Sequence, residues 1–455
     1  MSVLSKYKDI VLIFISALLY FYIAYALDRT NFTVLASLWF GLFACFYFLV
    51  QKPKLSFNNL VGIAFLFRLI FLFSTPNLSQ DFYRFIWDGR MILEGLNPYL
   101  SLPETFIQHI NYPIAEAREL YAGMGELNGS HFTNYPPLNQ LCFLVAALFA
   151  SKSIFGSVLV LRVIIILAEF GIFYFGKKLL QALHLPKHNI FWYVLNPFII
   201  IELTGNLHFE SVMLFFFIWG MYALQKRNWI LAAVLIGCSI SVKLLPFFFL
   251  PLFFKVFVHK KSNLSLGKQW LQLILFNFII LGTVVLLFLP FLSSTLIANY
   301  ANSVGLWFGK FEFNASFYYL FREIGYLFRG YNEIGIITKI TPILTILYLI
   351  YLTFFRKNNH QVILLSSMLF GLFFYYFTST TIHPWYLATP LLISVFTKYR
   401  FPVFWTLVII LSYQAYANTP WQENLWFVAA EYVLLFAFMI IEFKSHRRKD
   451  SIISA

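Results

Sequence analysis

VLIFISALLYFYIAYAL, from Val11 to Leu27, decides the fold class. Every residue but Ser16 is aliphatic or aromatic, and nothing alternates with period two, so the run does not read as a strand of a membrane β-barrel. As a helix it approaches the length needed to cross a hydrocarbon core of roughly 30 Å. Similar runs recur along the 455 residues, of which 60% are hydrophobic and 11% charged, with mean hydropathy +0.75. The pattern predicts an all-α, polytopic transmembrane helical bundle of about 12 to 14 spans.

The first runs, at about 10 to 27, 32 to 50 and 58 to 74, are divided by Asp28-Arg29 and by Gln51-Lys52-Pro53-Lys54. Basic residues collect on the cytoplasmic side. With Lys6, Lys8, Lys52 and Lys54 inside, the third run exits outward and residues 76–135 form a long extracytoplasmic loop. The run at 138–150 is too short for an ordinary span and is expected to lie on or dip into the outer surface, which keeps Lys177, Lys178 and Lys187 inside. Spans are then expected at about 157–177, 189–204, 210–225, 228–243, 244–258, 269–292, 337–355, 361–380, 384–397, 402–417 and 424–443, with a second outer loop at 293–336.

Both termini fall inside on this path, as do 21 of the 33 Lys and Arg. The whole chain, 1–455, reads as one integral-membrane domain. Its formal charge of +14 has its cause in the membrane and calls for no nucleic acid. Cys45, Cys142 and Cys238 lie within apolar runs, without metal-ligand spacing or an even count, and imply neither disulfide framework nor zinc site. Lys6 and Lys8 with Ala24-Tyr25-Ala26 fit a signal peptide, but further spans follow at once, which favours a retained helix. With no sorting signal, the membrane expected is a bacterial inner membrane.

One segment resists burial in lipid: SQDFYRFIWDGRMILEGLNPY, Ser79 to Tyr99, which holds Asp81, Arg84, Asp88, Arg90 and Glu94. Asp81, Arg84 and Asp88 are spaced i, i+3, i+7 and share one face of a helix, while Phe82, Phe85, Ile86, Met91 and Ile92 fall mostly elsewhere. A surface helix carrying a structural ion pair fits the same spacing. Other unusual polar residues lie at the same predicted depth: Asn134-Tyr135-Pro136-Pro137, Arg162, Asn206, His208 and Glu210 in TGNLHFES, Lys243, Asn314, and His383-Pro384-Trp385-Tyr386. Residues far apart in sequence but level in the membrane can converge on one cavity.

Several of these also have plain structural readings. Arg68 and Arg162 fit snorkelling from helix ends, and Asn196-Pro197 and His383-Pro384 fit helix starts or kinks. Glu169, in mid-span, is expected to pair with a polar neighbour inside the bundle. Lys310, Glu312, Arg322, Glu323 and Arg329 read as a solvated loop face, and most of the aromatics as lipid-facing.

In these residues the chain resembles the GT-C glycosyltransferases, multi-span enzymes that use polyprenyl-phosphate sugars, and among them the mannosyltransferase-like proteins. The matching words are Asp81-Phe82-Tyr83-Arg84-Phe85-Ile86-Trp87-Asp88-Gly89-Arg90, Gly95-Leu96-Asn97-Pro98-Tyr99 and Tyr135-Pro136-Pro137-Leu138. Asn196-Pro197, Asn206-Leu207-His208-Phe209-Glu210, Lys243 with Pro246, and His383-Pro384-Trp385-Tyr386 follow in the family's order, so the likeness covers most of the chain from about residue 60. Two positions depart from the family: Ser79-Gln80 stands where a further acidic residue is frequent, and Glu210 where Asp is common. The first removes the support for a metal-binding Asp-x-Asp, so no metal and no cofactor is assigned, and a divalent cation is without support.

The resemblance implies a hexosyltransferase, an extracytoplasmic site and a lipid donor taken from the outer leaflet. Inverting transfer needs one carboxylate to accept the acceptor's proton and cations to stabilise the departing phosphate. The expected base is Asp81, with Asp88 as a supporting or sugar-binding group. Arg84, Arg162 and Lys243 are candidates for the phosphate. Arg90, Asn97, Tyr99, Tyr135, Asn206, His208, Glu210, His383, Trp385 and Tyr386 complete the expected substrate-binding set. The partners implied are a polyprenyl-phosphate sugar, a glycolipid, polysaccharide or protein acceptor, and the bilayer. A flippase of lipid-linked sugars and a non-catalytic subunit of an envelope-polysaccharide complex are the alternatives. A transporter favours paired broken helices and a mid-membrane site, whereas here the charge and the long loop share one face.

Overall fold

A computed structural model describes residues 3–51, 55–109, 112–309, 311–418 and 420–453; Lys52, Lys54 and Lys310 lie outside them. Among the described residues the chain is helical without a named strand, an all-α polytopic bundle. Seven helices among the described residues are long and apolar enough to cross a membrane, or eight if the bent pair Ile199–Gly205 and Glu210–Gln225 is one span.

Other expected spans are short or broken. Pro246 and Pro251 remove backbone donors, and Leu245–Phe253 winds as a 3-10 helix before one α-turn at Phe254–Phe257. Pro384 opens a 3-10 turn, Pro384–Leu387, that runs into Ala388–Ser394. The stretch expected at 189–204 is interrupted at Asn196-Pro197: Asn196 accepts from Phe198 N at 3.0 Å and donates to Thr406 Oγ1 at 3.1 Å. A 110° bend then separates Ile199–Gly205 from Glu210–Gln225, with Leu207 in the left-handed region at φ 63°.

Glu210–Gln225 packs between Ile154–Ala182 and Trp229–Ile240. Beside it lies a fully buried polar group. Arg68 Nη2 donates to Glu169 Oε2 at 2.9 Å, Tyr193 and Ser211 donate to Glu169 Oε1 at 3.1 and 2.5 Å, and Arg68 Nη1 reaches the carbonyls of Ala64 and Val194. Glu169 thus has its expected partner, but Arg68 does not snorkel; it is fully buried. Removing either charge would strand the other in a low dielectric, typically at a cost of about 3–5 kcal/mol.

The helix Asp81–Leu93 lies on Pro137–Ala150, which in turn packs on Ile154–Ala182. Gly89 makes this approach: a Cβ there would meet Phe143 O at 2.2 Å. Phe85 stacks on Phe143 at 4.7 Å and 8°. The first loop is therefore a packed layer over one end of the bundle.

Candidate active site

One cavity of about 1130 Å³ opens at that end. Its head is lined by Asp81 and Arg84 from the loop helix, Tyr135 from the loop's exit, Glu210 at the start of its helix, Lys243 beyond Trp229–Ile240, and His383, Trp385 and Tyr386. These are eight of the residues expected from sequence, brought together from five parts of the chain. An apolar arm continues past Phe247 and Phe248, Leu281 and Val284, and Thr338, Thr341, Thr345, Ile346 and Leu349. From Thr338 to Leu349 it follows one helix for about 16 Å at 1.5 Å per residue.

The head is electrostatically organised. Lys243 Nζ donates to Glu210 Oε1 at 2.5 Å, with Lys243 still 21% exposed. Glu210 is held 3% exposed at a helix N-terminus, where negative charge is favoured. Asp81 is half-buried at the first turn of its own helix. Burial raises its pKa to about 6; the positive charge of Lys243 opposes the rise and the carboxylate of Glu210 adds to it. Asp81 is thus a carboxylate whose proton affinity is raised toward neutrality.

Arg84 is oriented from behind. Its Nε donates to Asp88 Oδ1 at 2.8 Å, and Nη1 donates to the carbonyls of Asn128 at 2.5 Å and His131 at 3.0 Å. Its Nη2 is buried with no hydrogen-bond partner among the described residues. Asp88 is fully buried and also accepts from Gln140 Nε2 at 3.0 Å. It fastens Arg84 and does not line the cavity.

Other expected site residues build the frame. Arg90 is bonded to Ala115 O at 2.7 Å and Glu116 Oε2 at 2.8 Å. Asn97 reaches Phe291 O at 2.9 Å, and Tyr99 Oη donates to Tyr135 O at 2.6 Å, which ties the loop down. Arg162 corrects two expectations, since it neither snorkels nor faces the cavity. Its guanidinium is buried and donates to the carbonyls of Leu72, Ser74, Thr204 and Gly205, pinning the third helix's exit to the 110° bend. Asn206 is likewise internal, accepting from Leu78 N at 3.2 Å and donating to Glu202 at 3.3 Å.

His208 lies behind the cavity wall. Its ring stacks on Trp385 at 4.0 Å and 18°, and His383 covers Trp385's other side at 4.6 Å and 4°. Trp385 is therefore sandwiched between two imidazoles and presents an edge, not a face, to the cavity. Behind His208, Glu202 Oε2 lies 3.5 Å from Nε2 and Tyr413 donates to Glu202 Oε1.

Sequence reasoning missed Glu202, Arg29, Tyr416 and Trp421. The last three line the cavity, with Arg29 over the Tyr416 ring at 5.5 Å. The signal for Arg29 was its place in the first outer turn, level with the other polar residues. Glu202, inside an apolar run, announced itself only as a charge. Among the described residues, no group of three or more His, Cys, Asp or Glu is arranged as metal ligands.

Fold and cavity together define a polytopic helical membrane protein with one amphiphilic cavity, whose charged head is roofed by a packed loop. Residues 9–259 match the model of the family described as alpha-(1->6)-mannopyranosyltransferase, N-terminal domain, and the chain belongs to that family. It is also similar to alpha-(1->6)-mannopyranosyltransferase A of Corynebacterium glutamicum, 23% identical over 202 residues. That match covers 44% of this chain and 39% of the relative's length. Both findings agree with the GT-C, mannosyltransferase-like resemblance.

Proposed function

We propose that the protein is a membrane-embedded mannosyltransferase that moves the sugar from a polyprenyl-phosphate carrier to an acceptor hydroxyl, with inversion at C1. The observation that carries this reading is the single cavity that joins Asp81 and a Glu210-held Lys243 to a long apolar arm. A donor with a charged phosphate between a sugar and a hydrocarbon chain matches that division. The family match and the similarity to a mannopyranosyltransferase support mannose as the sugar.

In the proposed reaction an Asp81 carboxylate oxygen takes the proton of the acceptor hydroxyl as its oxygen attacks C1. The bond from C1 to the phosphate oxygen breaks, and the electron pair leaves with the polyprenyl phosphate. Lys243, Arg29 and Arg84, which line the cavity, are the cations proposed to meet the added charge. The stacked His383 and Trp385, with Tyr386, form a stiff wall for the sugar. A cavity facing away from the cytoplasm, with both termini inside, accords with the basic residues of the chain; Lys177, Lys178 and Lys187 line a smaller cavity of about 440 Å³ elsewhere.

The test is purified protein in nanodiscs with polyprenyl-phosphate mannose and a mannoside acceptor, following release of polyprenyl phosphate. Acceptor-dependent release that Asp81→Asn abolishes is expected. Donor transport across the bilayer without release would overturn the reading.

A further inference from the structure

In the segment 311–333 of the second outer loop, Phe311 and Phe313 line the cavity and the helix beyond them does not. Its helix, Phe317–Arg329, has two unlike faces. Leu320, Phe321, Ile324, Leu327 and Phe328 fall within about 120° of its circumference at 100° per residue. All are uncovered, and Leu327 and Phe328 are each 83% exposed. The opposite face is fastened to the protein. Tyr318 Oη donates to Glu312 at 2.7 Å, Arg322 pairs with Glu312 at 2.7 Å, and Tyr319 donates to Glu423. Glu312 and Arg322 are therefore the inner fastening of an amphipathic helix, whereas Glu323 and Arg329 stay more than half exposed, like the solvated face expected from sequence; Lys310 lies outside the described residues.

We propose that this helix lies in the membrane interface at the cavity end of the bundle, with its apolar strip set among lipid chains, and that it holds the adjoining cavity wall at the lipid surface. Chain connectivity confines it there. Only Gly330 to Glu333 separate it from the span Ile334–Phe355, a reach of about 17 Å at most. At its other end, Phe313 N donates to Thr380 O at 3.1 Å and Ile382 N to Phe313 O at 2.8 Å, just beyond the span that closes at Thr378. A strip this apolar, pinned at both ends to the membrane boundary, meets lipid before it meets water.

Continuity favours lipid over a protein partner. The following span carries the same kind of surface onward, with Ile336, Ile340 and Ile343 each about half exposed. The wall held by the helix belongs to the cavity, because Phe311 and Phe313 line it and both stack against His383.

Spin labels on Leu327→Cys and Phe328→Cys, with Glu323→Cys as the polar-side control, test this in phosphatidylcholine–phosphatidylglycerol nanodiscs. The protein with only its three native cysteines sets the background. The 327 and 328 labels are expected to collide with oxygen and be shielded from a water-soluble nickel chelate, the 323 label the reverse. Nickel access equal at all three positions would overturn the proposal. So would shielding accompanied by spin–spin broadening that grows with two proteins per disc, which would assign the strip to a second copy. Should the labelled chains misfold, the unsubstituted protein is photolabelled with a diazirine-chain phospholipid. Label in the 317–329 peptide supports the proposal, and label in the 334–355 peptide without any in 317–329 overturns it.

Discussion

The helix Asp81–Leu93 carries, at its start and in its middle, carboxylates with opposite fates. Asp81 stands at the cavity, half-buried, tuned by Lys243 and Glu210. Asp88, two turns on and nominally on the same face, is sealed beneath Pro137–Ala150 and committed to Arg84 and Gln140. The difference lies in what covers the face. Gly89 lets the helices approach until Phe143 O nearly touches the backbone, so the second half is closed over, while Asp81 at the start of the first half lines the cavity. A face shared in sequence is thereby divided into a cavity-lining half and a structural half.

The largest effect expected from this division is on turnover. Asp81→Asn should reduce transfer about a hundred to ten-thousandfold, with the thermal unfolding of the detergent-solubilised protein unchanged. Substantial residual turnover would return Asp81 to the structural half. Asp88→Ala should act chiefly on the fold, destabilising it by about 3–5 kcal/mol as Arg84 loses its buried counter-charge, while the molecules that remain folded lose far less of their kcat than Asp81→Asn does, through a loosened Arg84. A stable but inactive Asp88→Ala protein would erase the distinction.

Smaller effects sharpen it. Gly89→Ala should destabilise by about 1–3 kcal/mol, since its Cβ must push apart two backbones, and should not move the pH profile. That profile, in kcat/KM, should show an acid limb near pH 6, because Asp81 as the proposed base must be deprotonated to act and is increasingly protonated below that value. Lys243 lowers the pKa of Asp81 and Glu210 raises it, so residual activity of Lys243→Met should have its limb at higher pH and that of Glu210→Gln at lower pH. A limb that stays in place in both variants would mean that another group is titrating.

Much of the cavity's head was legible because polar residues in an apolar chain are few, and alternating spans bring chain segments back to the same depth. Asp81, Glu210, Lys243 and His383 could be grouped on that ground alone. Arg162, His208 and Asn206 shared the depth but not the direction. Their side chains are spent on the backbone carbonyls of the 110° bend, on the back of Trp385 and on Glu202, and no spacing rule says which side of a bent segment faces a cavity. Proline positions were visible, yet their conversion of expected spans into 3-10 pieces depended on neighbours that take up the freed backbone groups.

The sequence by itself determined an all-helical membrane protein with charge concentrated in one loop, because the cost of placing polar groups in hydrocarbon is large, local and additive along the chain. Only the tertiary structure decided which charges meet a cavity and which are fastenings, and that the Phe317–Arg329 helix turns its apolar face away from the protein. Coverage by a neighbouring helix is a property of packing between distant segments, and a one-dimensional pattern gives the face of a helix without what lies against it.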